Sequence, residues 1–505
     1  MRKIYLGAFA LLTANCTFAQ KDPVAEKFAK YITVEDAHKH LSIIASDDFE
    51  GRETGQPGAD KAANYLSGEF KKLGLQGANN GLYFLDVPLT AISAKVSALD
   101  INGSQPVYGK DYTAAGISAN GNVKASEIVF ISNATDADLS AVDIAGKVVL
   151  VSNEAKPGAN EGVRQVMARF QQVLKNIQAK KPALIFVAST NSRIRGINGA
   201  ERIGLKKENA TTATTIPYFN INVATADQLL KNSGKTYAQL IAAPQVQTLK
   251  TELAVSYEYI TKDAKAVDVV GFLPGSDPKL KDEVLVFSAH YDHIGLNPNG
   301  PDKVNNGADD DGSGTTGILE IATAFTQAKK QGHGPRRSIL FLGNVGEEKG
   351  LLGSEYYTDH PVIPLERTIA DLNIDMIGRT GYEHQGKADS SNYVYVIGSA
   401  MLSTTLHKVN EDANTNYTNL VLDYKYDDPN DPNRFYYRSD HYNFAKHGVP
   451  IIFYFDGEHQ DYHKPGDEVS KINFPMLVKR AQLVFYTGWD LANRDKRPVV
   501  DVEAK

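Results

Sequence analysis

Four uninterrupted apolar runs in the second half of the chain constrain its fold more than any other feature. They are Val284-Leu285-Val286-Phe287, Ile339-Leu340-Phe341-Leu342, Val394-Tyr395-Val396-Ile397 and Ile451-Ile452-Phe453-Tyr454. A strand with one wet face alternates apolar and polar residues, whereas a continuous run needs cover on both faces. Between the first two runs, Ile318, Ile321, Ala322 and Phe325 fall at i, i+3, i+4 and i+7, the spacing of one helical stripe. Strands alternating with helices predict an α/β fold: a mixed, mostly parallel central sheet with helices on both faces.

That reading gives the polar residues a place. Ligands of open α/β sheets bind beyond the carboxyl ends of the strands, and here those ends carry metal-capable side chains. The first run leads into Ser288-Ala289-His290-Tyr291-Asp292-His293 and the second into Gly346-Glu347-Glu348. The segment Ile369 to Ile374 ends at Asp375, and the last run is followed by Asp461-Tyr462-His463. Gly307-Ala308-Asp309-Asp310-Asp311-Gly312 separates the first run from its helix. Alone, each has a plain reading: a hydrogen-bonded histidine, a helix N-cap, a charged surface. Gathered at one sheet edge, the carboxylates repel one another unless a cation offsets them. Imidazole and carboxylate without thiolate suit zinc, manganese or cobalt. Two such ions ~3.5–4 Å apart form a hydrolytic clamp.

Other chemistries are excluded. Gly312-Ser313-Gly314-Thr315-Thr316-Gly317 matches a dinucleotide pattern, but no strand immediately precedes it and three aspartates would repel a pyrophosphate. Ser439-Asp440-His441 holds triad residue types as sequence neighbours, which do not form a relay, and no G-x-S-x-G elbow is present. Lys+Arg 54 against Asp+Glu 60 give a net charge of −6, without the basic excess of a nucleic-acid binder.

The N-terminus reads as an export signal over residues 1–19: Arg2 and Lys3, a short apolar stretch from Tyr5 to Leu12, then Thr17-Phe18-Ala19 as a cleavage site. The single cysteine, Cys16, lies within it. Asn15 before it argues against a lipoprotein, so the expected product is periplasmic or secreted, free of disulfides and without a transmembrane segment. Val24 to about Gly77 reads as mainly helical, with Thr33 as an N-cap and Gly74 as a stop. A polar loop, Ser46 to Gly55, interrupts it. From Leu82 to about Tyr257, short apolar runs at Ile128–Ile131, Val148–Val151 and Leu184–Val187 suggest an inserted β/α module without a chemical cluster.

With these blocks in order, the chain resembles the M28 family of zinc metallopeptidases of aminopeptidase type. The Ala45-Ser46-Asp47-Asp48-Phe49-Glu50-Gly51-Arg52 segment looks like that family's N-terminal stretch. The resemblance implies a peptidase domain in two parts, 20–110 and 251–505, around a protease-associated insert at 111–250. It implies a co-catalytic dizinc exopeptidase acting on peptides with a free N-terminus, with manganese or cobalt as substitutes. His290 and Asp375 would hold one ion, Glu348 and His463 the other, and Asp310 would bridge them. Glu347 would be the general base, Asp292 would orient His290, and Tyr462 would help stabilise the oxyanion. Ser439-Asp440-His441 matches a further block of that family, structural or near the substrate pocket. A glutaminyl-cyclase-like acyltransferase with one zinc, a carboxypeptidase and an inactive relative are the alternatives; oligomeric state is left open.

Overall fold

The computed structural model describes residues 21–132, 142–154, 163–206, 215–242 and 246–502. The expected export signal, with Cys16 and Ala19, lies outside them. The chain divides into two compact units, one built from residues up to Pro88 and from Lys265 onward, the other from Leu89–Ala264. The expected borders at 110/111 and 250/251 thus sit inside the second unit.

The first unit holds the predicted sheet. Its strands are the end of β1 (Gln247–Leu273), then β2 (Val284–His290), β3 (Ser338–Asn344), β4 (Thr368–Ile374), β5 (Tyr393–Ile397), β6 (Val421–Asp423) and β7 (Ile451–Phe455). The spatial order is β6-β5-β7-β4-β2-β3-β1. The central run β7-β4-β2-β3 is parallel throughout, β5 and β7 pair antiparallel, and β1 runs antiparallel to β3. In the β2–β3 register, Val284 faces Ser338 and His290 faces Asn344, so both strands finish at one level.

Every residue of β2, β3, β4, β5 and β7 is buried, as their continuous apolar runs require. On one face, Phe287 stacks on Phe341 and meets Phe325 of α4 (Gly312–Lys330), whose ring stacks in turn on Trp489 of α8 (Phe474–Asn493). The stripe Ile318, Ile321, Ala322, Phe325 is fully buried there. Helices α1 (Pro23–Ala29), α2 (Val34–Ile44) and α3 (Pro57–Leu73) pack onto α4. On the other face, Val284, Val286, Leu340 and Leu342 pack with Tyr357 of α5 (Leu352–Asp359) and Phe444 of α7 (His441–Lys446). The remaining helix, α6 (Thr404–Ala413), packs on α8. Each buried large side chain contributes roughly 1.5–3 kcal/mol, so alternate residues of a strand hold both layers to the sheet.

The local signals act as expected. Thr33 Oγ1 accepts from the Asp36 amide at 3.1 Å, and α3 ends at left-handed Gly74 with φ 87°. The second unit has parallel strands at Gly121–Ser132, Val148–Ser152, Leu184–Ala188 and Tyr218–Ile221, the first buried only from Ile128, with alternate residues entering two apolar clusters. Among the described residues, no helix is long and apolar enough to cross a membrane.

Candidate metal centre

Parallel strands deliver their carboxyl ends to one edge, and the site is built there. His290 is the last residue of β2, Asp375 follows β4, Glu347 and Glu348 follow β3 across left-handed Gly346, and Tyr462 and His463 lie in the segment after β7. The loop before α4 supplies Asp309, Asp310 and Asp311; the Asp310–Asp311 peptide is cis. Gly307 allows that loop to fold back: a Cβ there would lie 2.3 Å from the Asp310 carbonyl and 2.6 Å from the His293 ring.

Asp310 stands between two histidines. Its Oδ1 is 3.4 Å from His290 Nε2 and its Oδ2 is 3.1 Å from His463 Nε2. His290 Nε2 also lies 3.6 Å from Asp375 Oδ1 and 4.0 Å from Glu347 Oε2. His463 Nε2 lies 3.1 Å from Glu348 Oε2. The structure thus gathers the other four expected ligands about Asp310, with Glu347 beside them. It adds one that sequence reasoning left without a role: His293, fully buried, with Nδ1 2.9 Å from Glu348 Oε1 and 3.7 Å from Asp310 Oδ2. The signal for it was its place three residues after His290, in the same loop.

Among the described residues, two groups have donor atoms mutually within 4.8 Å: His290, Asp311 and Asp375, and His293, Asp310 and Glu348. Asp311 is near but engaged, because its oxygens accept from the amides of His290, Gly314 and Met376. Asp310 is different. Its Oδ2, with His290 Nε2, both ring nitrogens of His293 and Glu348 Oε1, is buried and makes no well-aligned hydrogen bond, its close neighbours being other members of this cluster. Orphaned nitrogen and carboxylate atoms converging in this way fit a divalent metal pair.

The electrostatics describe a site poised for cations. Burial alone would raise Asp310, but His293, His290 and His463 outweigh it and hold the carboxyl well below its usual range. Burial would lower His463, yet Asp310 and Glu348 push it up to about 10. Burial, with the Asp375, Glu348 and Asp440 charges added, holds Glu347 well above an ordinary glutamate against the opposing effect of His290.

The supporting residues differ in part from expectation. His290 Nδ1 lies 3.1 Å from the main-chain carbonyl of Asp292, while the Asp292 carboxylate is 3.7 Å away. That carboxylate accepts from Thr54 Oγ1 at 2.6 Å and from the Glu347 amide at 3.2 Å. Asp292 therefore ties the Glu347 segment to the N-terminal loop as well as flanking His290. Tyr462 stacks on the His463 ring at 3.9 Å between centroids. Asp440 is buried, and burial with the Asp292 and Asp375 charges pushes it up to about 7 against His290. His441 Nε2 donates to the Tyr436 carbonyl at 2.8 Å, and its ring stacks on Phe453.

Sequence reasoning also assigned no role to Arg52. Its guanidinium is fully buried and donates to the carbonyls of Tyr291, Ile44, Asn306 and Gly307, joining the N-terminal loop to both ligand-bearing loops. Asp467 braces the acidic loop from the other side, accepting from the Asp309 and Asp310 amides. Asp309 pairs with His459 at 3.2 Å.

Residues 268–488, which carry every expected ligand, match the sequence model of Peptidase family M28. This part of the chain belongs to family M28. Among curated relatives, a "Probable leucine aminopeptidase" of Arthroderma benhamiae is 30% identical over 254 residues, 49% of this chain and 62% of that protein. Leucine aminopeptidase 2 of Trichophyton rubrum is 24% identical over 405 residues, 75% and 69% of the two chains. The match to the former thus spans about six tenths of its length. An aminopeptidase from Aneurinibacillus sp. strain AM-1 shares the fold at TM-score 0.59 and 18% identity, covering 95% of this chain and 98% of its own. A zinc aminopeptidase from Bacillus subtilis does so at TM-score 0.53 and 17% identity, covering 93% and 98%. The matched segment supplies β2 to β7, and with them every expected ligand from His290 to His463.

Proposed function

We propose that this chain is a metallo-aminopeptidase that holds two zinc ions, or manganese or cobalt in their place, and removes N-terminal residues from peptides. The observation that carries the reading is Asp310, with one oxygen toward His290 and the other toward His463 and buried orphan donors on both sides. His290 and Asp375 would hold one ion, Glu348 and His463 the other, with Asp310 shared. His293 lies beside the second set. A bound pair would lower the pKa of water from ~15.7 toward ~7 and polarise the scissile carbonyl.

The chain's own groups do the rest. Glu347, buried and of raised proton affinity, takes a proton from the attacking water and returns it to the leaving amine. Tyr462 donates its hydroxyl to the developing oxyanion. The adjoining pocket is lined by Met376, Phe435, Phe453 and Phe455, which suits an apolar N-terminal side chain. The unit Leu89–Ala264 is read as the protease-associated insert, and residues 1–19 as an export signal that places the enzyme in the periplasm or outside the cell.

The test is hydrolysis of a panel of aminoacyl chromogenic amides, alongside metal content per chain. Activity abolished by chelator, restored by zinc and absent on N-blocked substrates supports the reading. One ion per chain with cyclisation of N-terminal glutamine, or hydrolysis of N-blocked peptides, overturns it.

A further inference from the structure

Two charged side chains in the pocket, Arg438 and Glu458, have no part in the chemistry above. Arg438 lies just before Ser439-Asp440, and its side chain joins Asp310, Glu347, Asp375 and Tyr462 in lining the pocket. Three contacts fix its guanidinium. It donates to Tyr462 Oη at 3.2 Å, pairs with Glu458 Oε1 at 2.8 Å and lies over the Phe435 ring at 4.6 Å.

A phenol donates one hydrogen and accepts through its lone pairs. With Arg438 on the accepting side of Tyr462, the hydroxyl hydrogen is left to point elsewhere. A hydroxyl that accepts from a cation is also a stronger donor, because linked hydrogen bonds polarise one another. Glu458 answers the charge of Arg438, so the guanidinium is not a free anion receptor for a substrate carboxylate.

We propose that Arg438 is a positioning residue for the hydrolysis described above, on which this inference rests. It holds the Tyr462 hydroxyl as a donor toward the oxyanion of the tetrahedral intermediate, and Glu458 holds Arg438 in turn.

The test is a double-mutant cycle on the zinc-loaded enzyme with a leucyl chromogenic amide, using R438M, R438K, Y462F and R438M/Y462F. Loss of one oxyanion donor costs ~10²–10³ in kcat, so Y462F is expected to fall about that far. R438M is expected to lose about tenfold in kcat with KM changed less than about twofold, as a weakened rather than absent donor. R438K recovers part of that loss. The double variant turns over no more slowly than Y462F, and an aminoalkylboronic acid, a tetrahedral mimic, binds R438M more weakly while free leucine binds unchanged. Equal factors for R438M in wild-type and Y462F backgrounds overturn the proposal, as does an effect on KM alone or a loss of zinc or helical signal in R438M. A zinc-loaded wild type without activity removes the peptidase reading and this role together; an active wild type with independent variants removes only the role of Arg438.

Discussion

Asp309, Asp310 and Asp311 share a residue type and a loop, yet their surroundings separate them. Asp309 meets the Gly378 amide and His459, Asp311 takes three amides, and Asp310 faces His290 and His463. A carboxylate engaged by amides braces a loop; one facing only imidazoles is left for a cation. The same reasoning separates the adjacent Glu347 and Glu348, since Glu348 contacts His293 and His463 while Glu347 stands 4.0 Å from His290. Glu347→Gln should keep its metal, read by elemental analysis, and lose ~10²–10⁴ in kcat; near-wild-type turnover would remove it from the base role. His463 is held protonated at neutral pH by Asp310 and Glu348, and a metal can bind it only after that proton leaves. Zinc affinity should therefore rise with pH toward about 10. Titration calorimetry in two buffers of different ionisation enthalpy should show net proton release at pH 7.

At the scale of elements, the strands and α4 were legible because burial on two faces leaves no room for polar residues and helical packing repeats every three to four positions. The expected ligand types were legible for a related reason, since His290, Glu348, Asp375 and His463 follow recognisable strand ends and Asp310 precedes a helix start. Directions within loops were not: no period tells that His293 turns inward or that Asp292 engages Thr54. Arg52 was the least legible, because a charge in a polar loop reads as solvated and its four carbonyl partners come from separate segments. Helix α4 also carries Glu320, fully buried, which accepts from the Thr33 amide at 2.9 Å. Burial pushes it up to about 8, the Thr33 amide opposing and Asp36 adding to the rise. Between ~4.5 and 8 the unfolded chain holds fewer protons at this position than the folded one, so stability falls as pH rises through that window. Glu320→Gln should match wild type near pH 4.5 and exceed it above pH 8, by as much as ~5 kcal/mol. Equal pH slopes for the two proteins in thermal denaturation would refute this.

At the scale of the molecule, the M28 segment does not close its site alone. The loop around Arg52, far toward the N-terminus, holds the carbonyls of Tyr291, Asn306 and Gly307 in place. Lysine has a charge but no planar fork of donors. Arg52→Lys should therefore leave buried carbonyls unpaired and cost about 3 kcal/mol or more in urea unfolding. It should also weaken zinc binding, since the loops of His290 and Asp310 lose a common tie. A variant with unchanged denaturation midpoint and metal affinity would show the tie to be dispensable.

The bracing of Asp310 by Asp467, and its approach to His463, has a temporal consequence. Asp467 follows Asp310 by 157 residues, so the acidic loop leaves the ribosome long before the residues that close on it. An ion arriving before Asp467 and His463 have emerged would meet an unbraced loop, so the proposed centre is completed only after their synthesis.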